Sequence, residues 1–208
     1  MFQAIIEIGR GAQHLRNLLD HVFDDGPQQL LLGREDVLQC AQGDLRLIGH
    51  RITHMLRANT RSGARRNIEA HYDLGNDFYR LWLDPTMTYS SAVFAHPDES
   101  LEAAQLRKYR RILAQLDTKP GQTILEIGCG WGGFAEVAAT EFGCRVLGLT
   151  LSPAQLAFAR ERAERGGYAD RIDLELCDYR DVRGSYDHIV SIEMIEAVGE
   201  RFWPTYFG

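Results

Sequence analysis

Residues 123–155, TILEIGCGWGGFAEVAATEFGCRVLGLTLSPAQ, decide the fold. The apolar run TILEIG reads as a buried strand, and the glycine-rich turn Gly128-Cys-Gly130-Trp-Gly132-Gly133 follows it at once. A helix is expected over Phe134–Phe142 and a second strand over CRVLGLT. Ser152 followed by Pro153 is a good N-cap and first-turn pair, so a further helix is predicted over Pro153–Arg165, ended by Gly166-Gly167. IDLELC and HIVSIEM complete four strands. Short apolar strands separated by single helices predict an α/β fold, a doubly wound parallel sheet.

Glycines at a strand-to-helix turn let the backbone bend sharply and let a ligand approach a helix N-terminus where a side chain would clash. Gly128, Gly130 and Gly133 satisfy GxGxxG, so a dinucleotide oxidoreductase is one reading. Two features oppose it. A nicotinamide site calls for an acid about 20 residues further on, for the ribose, whereas Leu149-Thr150 ends the second strand and no acid follows until Glu161. Glu126 also lies inside the first strand, where a carboxylate suits a ligand's ammonium group better than a pyrophosphate. The ExGxGxG order is similar to the loop of Rossmann-like, S-adenosylmethionine-dependent methyltransferases.

Working towards the N-terminus, Leu101, Ala104, Tyr109, Ile112, Leu113 and Leu116 mark one face of a helix, with Asp98 or Ser100 as N-cap and Lys119-Pro120-Gly121 as its end. Residues 71–97 are dense in aromatics and read as a short helix, a turn at Asp84-Pro85 and an irregular segment. Most of Tyr72, Phe78, Tyr79, Trp82 and Phe94 are expected in the core. Leu45–Ile68 holds six arginines and no acid, which leaves about −12 of charge for the other residues against a total of −6. That segment is either a solvated amphipathic helix or a surface for anionic lipid or an acidic partner. Residues 1–70 as a whole read as a mainly helical region, residues 71–120 as a helical and aromatic lid, and residues 121–208 as the sheet domain.

The 208 residues, 45% hydrophobic and 25% charged, exclude a collagen-like, coiled-coil or disordered chain. No apolar run approaches the ~18 residues of a membrane span. The N-terminus lacks the apolar stretch of a secretory signal, so a cytoplasmic protein is expected, and the four cysteines read as reduced thiols. No metal-ligand spacing and no nucleic-acid signature stand out.

Four segments together, NIEAHYDLGNDFYRLWLDPTMTYSSAVF, ILEIGCGWGGFA, GLTLSPAQ and DYRDVRGSYDHIVSIEMIEAVG, resemble the cyclopropane-fatty-acyl-phospholipid synthase family, which includes the mycolic acid cyclopropane synthases. The resemblance runs from about Arg57 to the C-terminus. It implies S-adenosyl-L-methionine as cofactor and methyl or methylene transfer to the cis double bond of phospholipid acyl chains. In that reaction the double bond attacks the cofactor's methyl group, a base removes a proton from the added carbon, and a ring closes. The resemblance further implies that Tyr89 and Ser90 close over the cofactor and that Gly128, Gly130 and Gly132 surround its methionine half, next to Glu126, already read as the holder of an ammonium group. Thr150, Ser152 and Gln155 fall beside the ribose, and Asp178, Tyr179 and Arg180 line the adenine. Glu196 falls where the family holds a bicarbonate ion, with Ser91 and His71 as further catalytic candidates. Ser91 stands where the family commonly has Cys, and Ala197 where it has His, so a methyl branch stays open beside a cyclopropane. The family sheet has seven strands and four are read here, so a C-terminally incomplete sheet is expected. A cofactor-binding but inactive product and N-methylation of a small amine are the alternatives. A position at the inner face of the membrane and a homodimer are compatible with the same reading.

Overall fold

The computed structural model describes residues 75–207, which lie within one compact unit of the chain. The helical reading of 1–70, the arginine-rich segment, Tyr72 and His71 lie outside the described residues. The elements in chain order are α1 (Gly75–Arg80), α2 (Leu101–Gln115), β1 (Thr123–Ile127), α3 (Gly133–Thr140), β2 (Arg145–Thr150), α4 (Pro153–Gly166), β3 (Ile172–Leu176), β4 (His188–Ser191), α5 (Ile195–Val198) and α6 (Trp203–Phe207).

Local chemistry sets most of these boundaries. Ser100 caps α2, its hydroxyl accepting from the Ala103 N–H, and α2 ends at Gln115, short of the Lys119-Pro120-Gly121 stop, because Asp117 adopts φ +51°. Ser152 caps α4 by accepting from the Gln155 N–H at 3.3 Å, with Pro153 in the first turn. The other end of α4 closes on Gly167, left-handed at φ +72°, whose N–H returns to the carbonyls of Ala163 and Glu164. β4 is shorter than the run HIVSIEM suggested: it stops at Ser191, and Glu193 turns left-handed at φ +51°.

The four described strands are parallel in the order β3-β2-β1-β4. In the central strand Ile124 pairs with Val146 on one side and His188 on the other. The period of two along β1 divides its side chains between the faces of the sheet. Ile124 joins Tyr109, Ile112 and Leu113 of α2 and Phe134 and Val137 of α3 in one buried cluster. Leu125 and Ile127 join Leu149, Val198 and Tyr206 in another. Glu126 therefore falls on the Ile124 side, in the middle of the sheet.

This strand order reverses direction between β1, which leads to β2 and β3, and β4. A crevice outside the carboxyl ends of β1 and β4 is where such sheets bind ligands. Of the aromatics expected in the core, Tyr79 is buried, whereas Phe78, Trp82 and Phe94 are 42%, 47% and 51% exposed. All three lie at the surface and not in the interior. Among the described residues no helix is long and apolar enough to cross a membrane.

Candidate functional site

The turn after β1 depends on glycine. Gly128 and Cys129 donate their N–H groups to the Leu149 carbonyl, folding the turn onto the end of β2. Gly128 and Gly132 both lie at φ +82°. A Cβ at Gly128 would meet Met194 Sδ at 3.1 Å, and one at Gly132 would meet Ala159 Cβ at 3.1 Å. A left-handed backbone and a tight neighbour together make both positions glycine positions. Gly130, at φ +55°, completes the turn. Trp131 is buried and donates its indole N–H to Asn76 Oδ1 at 2.8 Å, so α1 is tied directly to the glycine turn.

Glu126 is the electrostatic centre of this arrangement. It is 4% exposed, and its Oε2 has no hydrogen-bond partner among the described residues. Burial pushes its carboxyl up from 4.5 to about 8. A buried polar atom without a partner is unusual and costly. A cationic donor reaching it from the crevice would satisfy the oxygen and return the group to the carboxylate form.

At the end of β2, Thr150, Ser152 and Gln155 form one buried cluster. Thr150 Oγ1 donates to Gln155 Oε1 at 2.9 Å and accepts from the Ser152 N–H at 3.1 Å. Gln155 uses its amide oxygen internally, so it can offer a ligand its NH2 donors. After β3, Asp178 holds Arg180 in a two-pronged pair, Oδ1 accepting from Nε at 2.8 Å and Oδ2 from a terminal nitrogen at 2.5 Å. Asp178 also accepts from the Arg180 N–H, which fixes the short turn Tyr179–Asp181. The guanidinium lies 5.6 Å from the Tyr179 ring centre and 5.8 Å from that of Phe202.

The segment between α1 and α2 is shaped by a buried polar network. Asp84 accepts from the N–H groups of Thr86 (2.9 Å) and Thr88 (3.2 Å) and from the Thr86 hydroxyl. Thr88 Oγ1 is in turn 2.8 Å from the Tyr109 hydroxyl on α2. Arg162 of α4 donates to the Thr86 carbonyl at 2.6 Å and pairs with Glu136 of α3, binding three elements together. Beyond this anchor, Tyr89 is 46% exposed, with its ring 5.2 Å from Trp82 and 5.8 Å from Tyr79.

Ser90 and Ser91 follow. The Ser90 carbonyl accepts from Gln105 Nε2 at 2.7 Å, and its hydroxyl accepts from Lys108 Nζ. Ser91 donates both its N–H (2.9 Å) and its hydroxyl to Glu193 Oε1. The sequence reading singled out Ser90 and Ser91 but missed Gln105, Lys108 and Glu193. For Lys108 a signal was present: a lysine stands between Ala104 and Ile112, on the apolar stripe of α2. Glu193 had no comparable mark, because its role depends on a backbone turn and a partner 102 residues away. Glu196 lies in the short helix α5, and its side chain is outside the description.

Comparison with known proteins is consistent with this architecture. The family model for mycolic acid cyclopropane synthetase matches residues 59–208. A tuberculostearic acid methyltransferase of Mycobacterium tuberculosis is 48% identical over 156 residues, which covers 72% of this chain and 36% of that protein. A cyclopropane-fatty-acyl-phospholipid synthase of Escherichia coli is 44% identical over 137 residues, 66% of this chain and 35% of that one. The crystal structure of a mycolic acid cyclopropane synthase complexed with SAH and CTAB superposes with a TM-score of 0.66 at 36% identity, over 68% of this chain and 50% of that one. The matched stretch thus spans about a third of the length of the two curated relatives. With a family model over most of its residues, the chain belongs to the mycolic acid cyclopropane synthetase family.

Proposed function

We propose that this chain carries the S-adenosyl-L-methionine site of a lipid C-methyltransferase, one that adds a methyl or methylene group to cis double bonds of phospholipid acyl chains. The observation that carries the reading is Glu126: a buried carboxyl with an unpartnered oxygen, two residues before a turn of left-handed glycines. An α-ammonium group is the donor this oxygen lacks. When bound, the sulfonium cofactor supplies an electrophilic methyl group. Glu126 holds the methionine end, and Gly128, Gly130 and Gly132 admit it. Thr150, Ser152 and Gln155 face the ribose, with the Gln155 NH2 in place of the acid that dinucleotide sites use. The Asp178–Arg180 pair and Tyr179 flank the adenine, presenting a flat, charge-balanced wall.

The aromatic residues Tyr79, Trp82 and Tyr89 supply ring faces that favour positive charge and exclude water from the transfer site. The exposed Phe78, Trp82 and Phe94 offer an apolar approach for an acyl chain from a membrane surface. In the division of labour proposed here, residues 121–208 bind the cofactor and residues 71–120 cover it, with His71 kept as a catalytic candidate. Relatives named for a methyl-branched and for a cyclopropane product match this chain about equally well, so the reading covers both products. The described residues do not fit a bicarbonate ion at Ser91, since both Ser91 donors already serve Glu193.

The test is incubation of the protein with methyl-labelled S-adenosylmethionine and vesicles of cis-unsaturated phospholipid, followed by lipid analysis. Label is expected in the acyl chains. Label confined to a small amine, or absent from lipid while cofactor is bound, contradicts the proposal.

A further inference from the structure

Arginine supplies nearly all of the positive charge in this chain, since of 23 basic residues only Lys108 and Lys119 are lysines. Lys119 is an ordinary surface residue with a 62% exposed side chain. Lys108 is 2% exposed and ranks among the most completely buried side chains of the described unit. Lysine is almost never buried to this degree without a paired acid. Its two hydrogen bonds go to neutral acceptors, the Ser90 hydroxyl and the Ser91 carbonyl, the latter at 2.9 Å. The Tyr109 ring centre lies 4.9 Å from Nζ. The acids that face it, Glu193 and Asp84, act through space.

Ser91 consequently stands between a cation and a carboxylate. Its carbonyl accepts from Lys108 on one side, and its N–H and hydroxyl donate to Glu193 on the other. Glu193 reaches Ser91 from the loop after β4, at the mouth of the crevice, and it holds a left-handed backbone that a non-glycine residue adopts at a cost. Met194, the next residue, packs against Gly128 of the cofactor turn. A compact ammonium whose charge can be tuned fits this place better than the rigid fork of arginine, which dominates elsewhere in the chain.

We infer that Lys108 is a positioning residue for the sulfonium-cofactor site: through Ser90 and Ser91 it fixes the segment that covers the cofactor and holds Glu193 at the mouth of the crevice. This rests on the cofactor reading given above. Desolvation lowers the Lys108 ammonium from 10.5 to about 8, with Glu193 and Asp84 opposing the drop. The positioning charge is therefore present at neutral pH and is lost as the pH rises through about 8. Ionisation of Glu126 over the same range favours binding and so acts in the opposite direction.

Two lysines make a direct experiment practicable. Protein labelled with lysine carrying carbon-13 at the ε position gives two resonances to follow against pH. The second, that of Lys108, which is absent in K108M, is expected to titrate near 8. In E193Q the second should fall by a further half to one unit, on the order of one lost charge partner. S-adenosylmethionine affinity, measured by calorimetry, should drop about tenfold in K108M. K108R keeps its charge throughout, so whatever affinity it loses relative to wild type should shrink as the pH rises from about 7 to about 9. A Lys108 resonance that titrates in the ordinary lysine range, or one indifferent to E193Q, overturns the inference. So does K108M that binds like wild type across the range. Should K108M fail to fold, the titrations of wild type and E193Q still decide. Wild-type protein that binds no S-adenosylmethionine overturns the cofactor reading itself, an outcome distinct from normal binding that ignores Lys108.

Discussion

Replacing Glu126 by glutamine should stabilise the ligand-free protein, and it should do so only at neutral and alkaline pH. The carboxyl is buried and its pKa is raised from 4.5 to about 8, so between those values the folded state binds more protons than the unfolded state. Stability then falls as the pH rises through that window and levels off above it. About 3.5 units at 1.36 kcal/mol each sets a ceiling of about 5 kcal/mol on the cost at pH 8.5. Relaxation and water penetration reduce such costs, so about half is a reasonable expectation. Glutamine has nearly the same shape and no charge, which removes the pH-dependent part. At about 2–4 °C per kcal/mol for a protein of this size, E126Q should melt about 5–10 °C above wild type at pH 8.5. At pH 5 the two should agree within about 2 °C, since the native group is then mostly neutral. The assay is thermal unfolding of both proteins without ligand from pH 5 to 9. A wild-type melting temperature that runs parallel to that of E126Q over this range would refute the reasoning, because it would mean that Glu126 is already solvated or paired.

Further expectations concern the scaffold around the site. Removing Arg162 by R162M leaves Glu136 without its partner and frees the Thr86 carbonyl, and for this half-buried pair it should cost about 1–2 kcal/mol in urea unfolding; a loss below about 0.5 kcal/mol contradicts the structural weight given to this bridge. Gly132→Ala places a Cβ 3.1 Å from Ala159 on a left-handed backbone, so a loss of about 1–2 kcal/mol and weaker cofactor binding are expected, while unchanged melting and affinity would show that the turn can adjust.

The strands, their parallel order and the glycine turn were legible because each depends on local rules. Positive φ at Gly128 and Gly132 calls for glycine, and Ser152-Pro153 and Gly167 mark both ends of α4. What stayed hidden depends on distant partners. The carboxylate of Asp84 organises Thr86 and Thr88, and these reach Tyr109 across 21 residues, which no pattern in residues 84–88 announces. Glu193 interrupts what reads as one continuous apolar strand, because its bond to Ser91 competes with extension of β4. The aromatics of residues 71–97 were misjudged for a related reason: hydrophobicity signals burial in general, yet Phe78, Trp82 and Phe94 serve a surface. Glu126 shows the opposite balance. Its place two residues before the first glycine suggested a ligand-holding role, and the unpartnered oxygen supports the role proposed for it.

The central claim is that the crevice above β1 takes S-adenosylmethionine through Glu126. Equilibrium dialysis of the labelled cofactor against wild type and E126Q at pH 7.5 tests it most directly. Saturable binding to one site on wild type, weakened about tenfold or more in E126Q, is the result predicted from a lost charge-assisted bond. No binding to wild type up to about 1 mM, a concentration corresponding to about −4 kcal/mol, or equal binding by the two proteins, would contradict it.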